Sequence, residues 1–299
     1  MRMLTLNCHS LLDYDSDKQI QEIVDQIVRE EIDVLSLQEA NQSQFESAIA
    51  EDELKSLGYK EPAEGNAIIK KDNFAYRLSR ALKKVKLDFK WSWNSAYGEA
   101  DGLEWGVALF SRLCLTNVHS TLISSSDFAG NLTKRCVLLA QLSDEMKTVV
   151  AAVHFNGENS SEFRHEWSNL METIAGLGLS NRPLYLLGNF NVDAEVDTGS
   201  YTLMCQEFED TYCSAISKGD GMTVRGKLDG WDDSGISERL DYILTNAQNE
   251  VSYSRICFDG NIGPRISNHA GVLIEVSDDS ETCSASVSYT HLRAHETLR

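Results

Sequence analysis

The sequence predicts a fold in which helices lie outside two stacked β-sheets. Three observations carry this. Apolar runs of strand length outnumber the amphipathic helical stretches. Strands and helices do not alternate strictly, which argues against a doubly wound parallel sheet. No shift of composition marks a domain boundary before about Ser277, so residues 1–276 read as one domain.

Residues 3–6 form a short apolar strand that ends at Asn7. Residues 18–31 carry Ile20, Ile23, Val24, Ile27 and Val28 at helical spacing. Residues 34–37 are the next strand, ending at Gln38 and Glu39, so this strand–helix–strand opening delivers polar groups at both strand ends. Residues 44–57 read as a second helix stopped by Gly58. Residues 72–85 read as a third, apolar along Phe74, Leu78, Ala81, Leu82 and Val85, with a basic solvated face. Strands follow at 89–94 and 107–110 around a glycine-rich acidic loop, 97–106. Residues 137–142 and 148–153 alternate as a strand pair, and the second ends at His154. A helix over 163–177 leads into the apolar run Leu184–Leu187, which stops at Gly188-Asn189-Phe190-Asn191. The stretches 207–215 and 222–231 are mixed. The last strands are 240–244, 251–258 and 272–276, the final one entered from Ser267-Asn268-His269.

The formal net charge is −19. Affinity for a nucleic-acid backbone comes largely from neutralising phosphates, so this balance disfavours DNA or RNA as a partner, and it should repel anionic membranes. A small anionic substrate held by a metal and a few local cations fits better. Seven cysteines lie scattered with no CxxC spacing, as expected of reduced thiols in the cytoplasm rather than a disulfide framework or a zinc site. No run approaches the ~18 apolar residues of a membrane span, and residues 1–7 are too short and polar for a signal peptide. Residues 287–297 resemble the translation of a transposon-based sequencing adapter. Residues 277–299 are therefore expected to be a disordered or non-native tail, and His291 and His295 are set aside from the chemistry.

Polar residues stand at strand ends spread along the chain: Asn7, Glu39, His154, Asn189, Asn191, Asp241 and His269. Each alone reads as a solvated or capping residue. Gathered at one sheet edge, the set of seven makes a site. A hard divalent cation takes oxygen ligands, usually one or two carboxylates with water and substrate phosphate, and Glu39 is the natural carboxylate with Asn7 beside it. His269 is a candidate base or phosphate partner, and Asp241 could orient it in one tautomer.

The pieces 4–7, 35–39, 106–112, 153–154, 188–191, 239–244 and 267–269 occur in an order that resembles the endonuclease/exonuclease/phosphatase family. The resemblance covers residues 1–276. It implies a DNase I-like α+β fold, a four-layer α/β/β/α sandwich of two mixed, mostly antiparallel sheets. It implies metal-dependent hydrolysis of phosphate esters with Mg²⁺ or Mn²⁺ held by Glu39, Asn7 and Asn268. His154, Asn191 and Asn7 would hold the phosphate. His269, oriented by Asp241, would act in acid–base chemistry or stabilise the phosphorane, with His154 and Asn189 also in the catalytic set. Segments 71–75, 223–231 and 238–242 resemble a branch that includes the maltose 6'-phosphate phosphatases, in which Lys227 and Asp229-Gly230-Trp231 could face a sugar.

Two positions depart from the family pattern: Asn189 and Asn268 stand where Asp is usual. An amide at the first cannot accept a proton from water, and general-base loss is worth about 10²–10⁴-fold in rate. An amide at the second keeps an oxygen and loses a charge. Asp193, Glu99, Asp101 and Glu104 are the nearby carboxylates that could compensate. The expected function is a phosphomonoesterase acting on a small phosphorylated substrate such as a sugar phosphate, with reduced activity. The alternatives are a catalytically degenerate protein that binds a phosphorylated ligand, and an endonuclease or phosphodiesterase.

Overall fold

A computed structural model describes residues 1–12, 15–64, 67–98, 102–125, 134–157, 160–196, 199–226, 237–261 and 263–277. Two sheets stack face to face. In the first, the strands Val251–Cys257, Gly271–Val276, Arg2–Asn7, Val34–Gln38 and Leu103–Ser111 lie side by side in that order, and Lys90–Gly98 also pairs with Leu103–Ser111. In the second, the order is Asp241–Thr245, Leu184–Asn189, Val149–His154, Cys136–Leu142 and Leu115–Leu122. Short two-residue strands extend both edges of the first sheet and one edge of the second.

Alternating side chains assign each strand to two cores, because successive residues point to opposite faces. Met3, Val34, Leu109 and Ile274 of the first sheet meet Leu138, Val150, Tyr185, Leu187 and Ile243 of the second in the space between them. Their neighbours Leu4, Leu6, Leu35 and Leu37 face outward and are covered by Ile20, Ile23 and Ile27 of the helix Ser16–Glu30 and by Phe74, Leu78 and Leu82 of the helix Phe74–Lys84. On the far side, Val149, Ala151, Leu184 and Leu186 are covered by Phe163, Trp167, Leu170 and Ile174 of the helix Ser160–Gly176. The layers are therefore α/β/β/α, as the resemblance implies. One polar thread crosses the inner core: Ser36 Oγ donates to the Leu187 carbonyl at 2.9 Å, and Gln38 Nε2 donates to Ser36 Oγ at 2.8 Å.

The topology explains why the site forms where it does. Most neighbouring strands are antiparallel, but Arg2–Asn7 pairs parallel with Val34–Gln38, and Val149–His154 pairs parallel with Leu184–Asn189. Each parallel pair is joined through a helix, the connection that parallel strands require. Four carboxyl ends thus point to one edge and deliver Asn7, Glu39, His154 and Asn189 there. The antiparallel strands Asp241–Thr245 and Gly271–Val276 begin at that same edge, which adds Asp241 and His269. Gly188 is required where the parallel pair is tightest, since a Cβ there would overlap the Val153 carbonyl.

Three sequence readings differ from the structure. The helix expected over 44–57 is only Glu51–Ser56. The preceding residues are tied to other segments instead: Gln44 N–H donates to the Gly102 carbonyl at 2.7 Å, and Ala48 bridges Lys70. The acidic loop expected over 97–106 is largely a hairpin, with Tyr97 paired to Trp105 and Gly98 to Glu104. The strand Leu115–Leu122 was not expected; its exposed Thr116 and Asn117, at a register irregularity, interrupt the alternation. Among the described residues, no helix is long and apolar enough to cross a membrane. Residues 278–299, and with them most of the expected tail, lie outside the described residues.

Candidate active site

The seven strand-end residues lie along one closed path. Asn7 Nδ2 donates to Glu39 Oε1 at 2.9 Å. His154 Nε2 lies 3.8 Å from that same oxygen and 3.5 Å from Asn191 Nδ2. His154 is the register partner of Asn189, and Asn189 is in turn the partner of Asp241. Asp241 Oδ2 is 2.7 Å from His269 Nδ1. The path closes through Ser267, whose hydroxyl donates to the Asn7 carbonyl at 2.6 Å and accepts from His269 N–H at 3.3 Å. Asn268 reaches the same point, with Oδ1 3.1 Å from Ser267 Oγ.

Several residues here hold conformations that side chains usually avoid. His9, Glu39 and Asn191 have φ of +43°, +52° and +51°. Non-glycine residues in this region cost free energy and persist where the surroundings over-determine them. Asn191 is fixed by its backbone N–H, which donates to Asn189 Oδ1 at 2.8 Å, and by Nδ2, which donates to the Phe155 carbonyl at 2.8 Å. The Asn189 amide oxygen is therefore committed to holding the next turn.

The electrostatics separate two of the imidazoles, His154 and His269. Burial alone would raise the Glu39 carboxyl, but His9 Nδ1 at 2.8 Å and the Asn7 amide hold it down at about 2. Burial, reinforced by the charge of Arg135, pushes His154 down to about 3, so this ring is neutral at physiological pH. His269 is buried, and burial opposes its charge, yet the Asp241 carboxylate raises it above the ordinary imidazole value. The site thus combines the ionised Glu39 carboxylate, a neutral His154 imidazole, and a His269 imidazole that favours its proton beside Asp241.

The carboxylates that might replace the missing Asp residues are engaged elsewhere or undescribed. Asp193 Oδ1 accepts from Glu195 N–H at 3.1 Å and Arg239 N–H at 3.4 Å. Glu104 accepts from Lys70 Nζ at 3.0 Å and Gln42 Nε2 at 2.6 Å. Glu99, Asp101, Lys227 and the Asp229-Gly230-Trp231 segment lie outside the described residues. Among the described residues, no group of three or more His, Cys, Asp and Glu side chains could hold a metal. A cation here would rely on Glu39, and the amide oxygens of Asn7 and Asn268 would have to turn to it, since Asn7 Oδ1 accepts from His9 N–H at 3.2 Å and Asn268 Oδ1 from Ser267 Oγ at 3.1 Å. That all-oxygen donor set fits a hard ion that keeps much of its water, and not zinc.

Sequence reasoning missed His9, Ser267 and Arg135. Arg135 lines a recess with Glu39, His154, Lys134 and Trp105, a cationic wall in an acidic protein. His9 had a signal, since it stands two residues after Asn7. Arg135 had none, because it precedes a strand whose own residues are apolar.

A model described as the endonuclease/exonuclease/phosphatase family matches residues 4–269. A family protein from Leptotrichia buccalis has a similar structure, with 24% identity and a TM-score of 0.79, covering 93% of this chain and 100% of its own. The mannosyl-6-phosphatase Bt3783 of Bacteroides thetaiotaomicron gives 14% identity and a TM-score of 0.63, covering 93% and 100%. A 3'-5' exonuclease from Neisseria meningitidis gives 19% and 0.60, covering 92% and 99%. These likenesses establish the fold. No curated protein sequence matches significantly.

Proposed function

The chain belongs to the endonuclease/exonuclease/phosphatase family, whose members hydrolyse phosphate esters, and from that premise we propose that it is a metal-dependent phosphomonoesterase acting on a small phosphorylated substrate such as a sugar phosphate. The closed path from Asn7 through Glu39, His154, Asn191, Asp241 and His269 carries this reading. It offers amide and imidazole donors for a phosphate beside one carboxylate suited to Mg²⁺ or Mn²⁺. When bound, such an ion would neutralise charge on the phosphate and acidify its own water. Asn191 and the neutral His154 hold phosphate oxygens. His269, whose proton the Asp241 carboxylate favours, stabilises the negative charge of the phosphorane or protonates the leaving oxygen as the ester P–O bond breaks. Arg135 and Lys134 supply the local cations that a small anion needs, whereas the net charge of −19 opposes a long nucleic-acid backbone. A sugar phosphate agrees with the mannosyl-6-phosphatase among the structural neighbours.

Asn189 supports a second reading. Its amide cannot take a proton from the attacking water, so the same site could bind a phosphorylated ligand with little turnover. A nuclease or phosphodiesterase is the third. The deciding experiment assays the chain with Mg²⁺ and Mn²⁺ on p-nitrophenyl phosphate, sugar phosphates and plasmid DNA, beside the Asn189→Asp/Asn268→Asp double variant. Phosphatase activity that rises about 10²-fold or more in the double variant is expected. Efficient DNA nicking at physiological salt would overturn the small-substrate reading. Saturable sugar-phosphate binding with no hydrolysis by either protein would establish the binding protein instead.

A further inference from the structure

We propose that Glu166 is a positioning residue for His154 and Asn191, acting through Asn156; this rests on the reading of those two as phosphate-holding groups. Glu166 lies fully buried on the helix Ser160–Gly176, among residues of the apolar face that covers the second sheet. A carboxyl group in such a place costs free energy unless it is well partnered. Both of its oxygens go to one residue: Oε2 accepts from Asn156 N–H at 2.8 Å, and Oε1 accepts from Asn156 Nδ2 at 2.6 Å.

Asn156 belongs to the short segment that leaves His154 and crosses the site edge. That segment is the scaffold of Asn191. Phe155 N–H donates to the Asn189 carbonyl at 2.9 Å, and the Phe155 carbonyl accepts from Asn191 Nδ2 at 2.8 Å. At Gly157 the backbone comes so close that a Cβ would overlap the Asn191 carbonyl. Asn191 itself sits in the left-handed region, which demands such over-determination. The helix carboxylate therefore clamps the one stretch of chain against which the strained Asn191 and the end of the His154 strand are set. Burial pushes Glu166 up to about 7, opposed by the two Asn156 bonds and by the charge of Arg135, while Glu162 on the same helix adds to the rise.

The test uses the full chain. Glu166→Gln keeps the shape and leaves an NH₂ facing one of the two Asn156 donors. Amide hydrogen exchange at residues 155–157 and 191 is expected to quicken by about tenfold, the loss of one hydrogen bond to a charged acceptor, with the thermal midpoint little changed. The kcat/KM for a phosphomonoester should fall by a similar factor, again about tenfold. Asn156→Ala removes the other end of the same contact and should reproduce both effects, so it carries the comparison if the Gln variant folds poorly. In an Asn191→Ala background, Glu166→Gln should cost clearly less than tenfold, the remainder passing through His154. Unchanged exchange at residues 155–157 and 191 would overturn the proposal, as would the same tenfold fall in kcat/KM on top of Asn191→Ala. If the wild-type chain hydrolyses no phosphomonoester, the functional reading fails, and the exchange measurement still decides this one.

Discussion

Replacing Asp241 by Asn removes one charge and little else. The Asn oxygen can still accept from His269 Nδ1–H, so the geometry of the 2.7 Å contact survives. The opposite oxygen, Oδ1, has no hydrogen-bond partner among the described residues, so an NH₂ there exchanges one unpartnered atom for another. The cost is then confined to the pairing of imidazolium with carboxylate. Both groups are buried, with 5% and 2% exposure, so solvent screens them little. Hydrogen bonds to charged groups contribute about 1.5–3 kcal/mol, and neutral ones about 1 kcal/mol. The sign follows from linkage. His269 has a folded pKa above its unfolded value, so the extra stabilisation is complete below an unfolded imidazole pKa of about 6.5 and vanishes as pH rises through the folded pKa. Asp241→Asn should therefore lower stability by about 2 kcal/mol at pH 5.5 and by a shrinking amount as pH rises towards 9. Urea denaturation of both proteins across that range measures it. A difference that is the same at both pH values would refute the claim that His269 owes its charge to Asp241.

Three further outcomes are expected. Glu39→Gln should weaken Mn²⁺ binding, read by calorimetry, by at least about tenfold, since the only carboxylate of the donor set is lost; an unchanged affinity would remove Glu39 from that set. Gly188→Ala should destabilise the fold by about 3 kcal/mol, because the added methyl meets the Val153 carbonyl of the parallel partner strand and neither strand can move alone. A thermal midpoint equal to the wild type would contradict the close approach. Arg239→Ala should cost about 3–5 kcal/mol in denaturation, since it leaves Asp210 buried without its partner. It also empties the space between the Tyr212 and Tyr242 rings, each 4.8 Å from the guanidinium.

The stacked sheets were legible because burial on both faces makes a strand apolar along its whole length, as in Leu184-Tyr185-Leu186-Leu187, and such runs stop abruptly at polar ends. The strand-end residues were legible for the same reason. What the sequence concealed depends on partners far away in the chain. Residues 44–50 have helical composition, yet Ile69, Lys71 and Gly102 supply their backbone hydrogen bonds and draw them away from the helix. The strand Lys90–Gly98 runs past its apolar core because its edge pairing with Leu103–Ser111 continues into polar residues. Arg135 and Glu166 gave no local sign. Their roles depend on which side chains the fold places opposite them, and periodicity carries no such information. Asp193 and Glu104 show the converse, since proximity in sequence to the site did not bring their carboxylates into it.

The first strand of the chain lies between the second and the last in the larger sheet. Met3 pairs with Ile274 and Leu4 with Leu273, and the Met1 amino group donates to the Val276 carbonyl at 2.8 Å. A nascent chain therefore emerges with one side of its opening strand unpaired until almost the whole domain has been synthesised. Such distant pairings slow folding, because loop closure must precede the contacts that reward it. Asn7 meets the Ser267–His269 segment only at that late step, so the path around the site cannot close before the last strand is in place. The same closeness of the two ends makes a circular permutant feasible, with Ser277 joined to Met1 and a new start opened in a surface turn. In that permutant the two halves of the site would meet early, and its refolding rate would report how long the natural order of strands delays the assembly of the pocket.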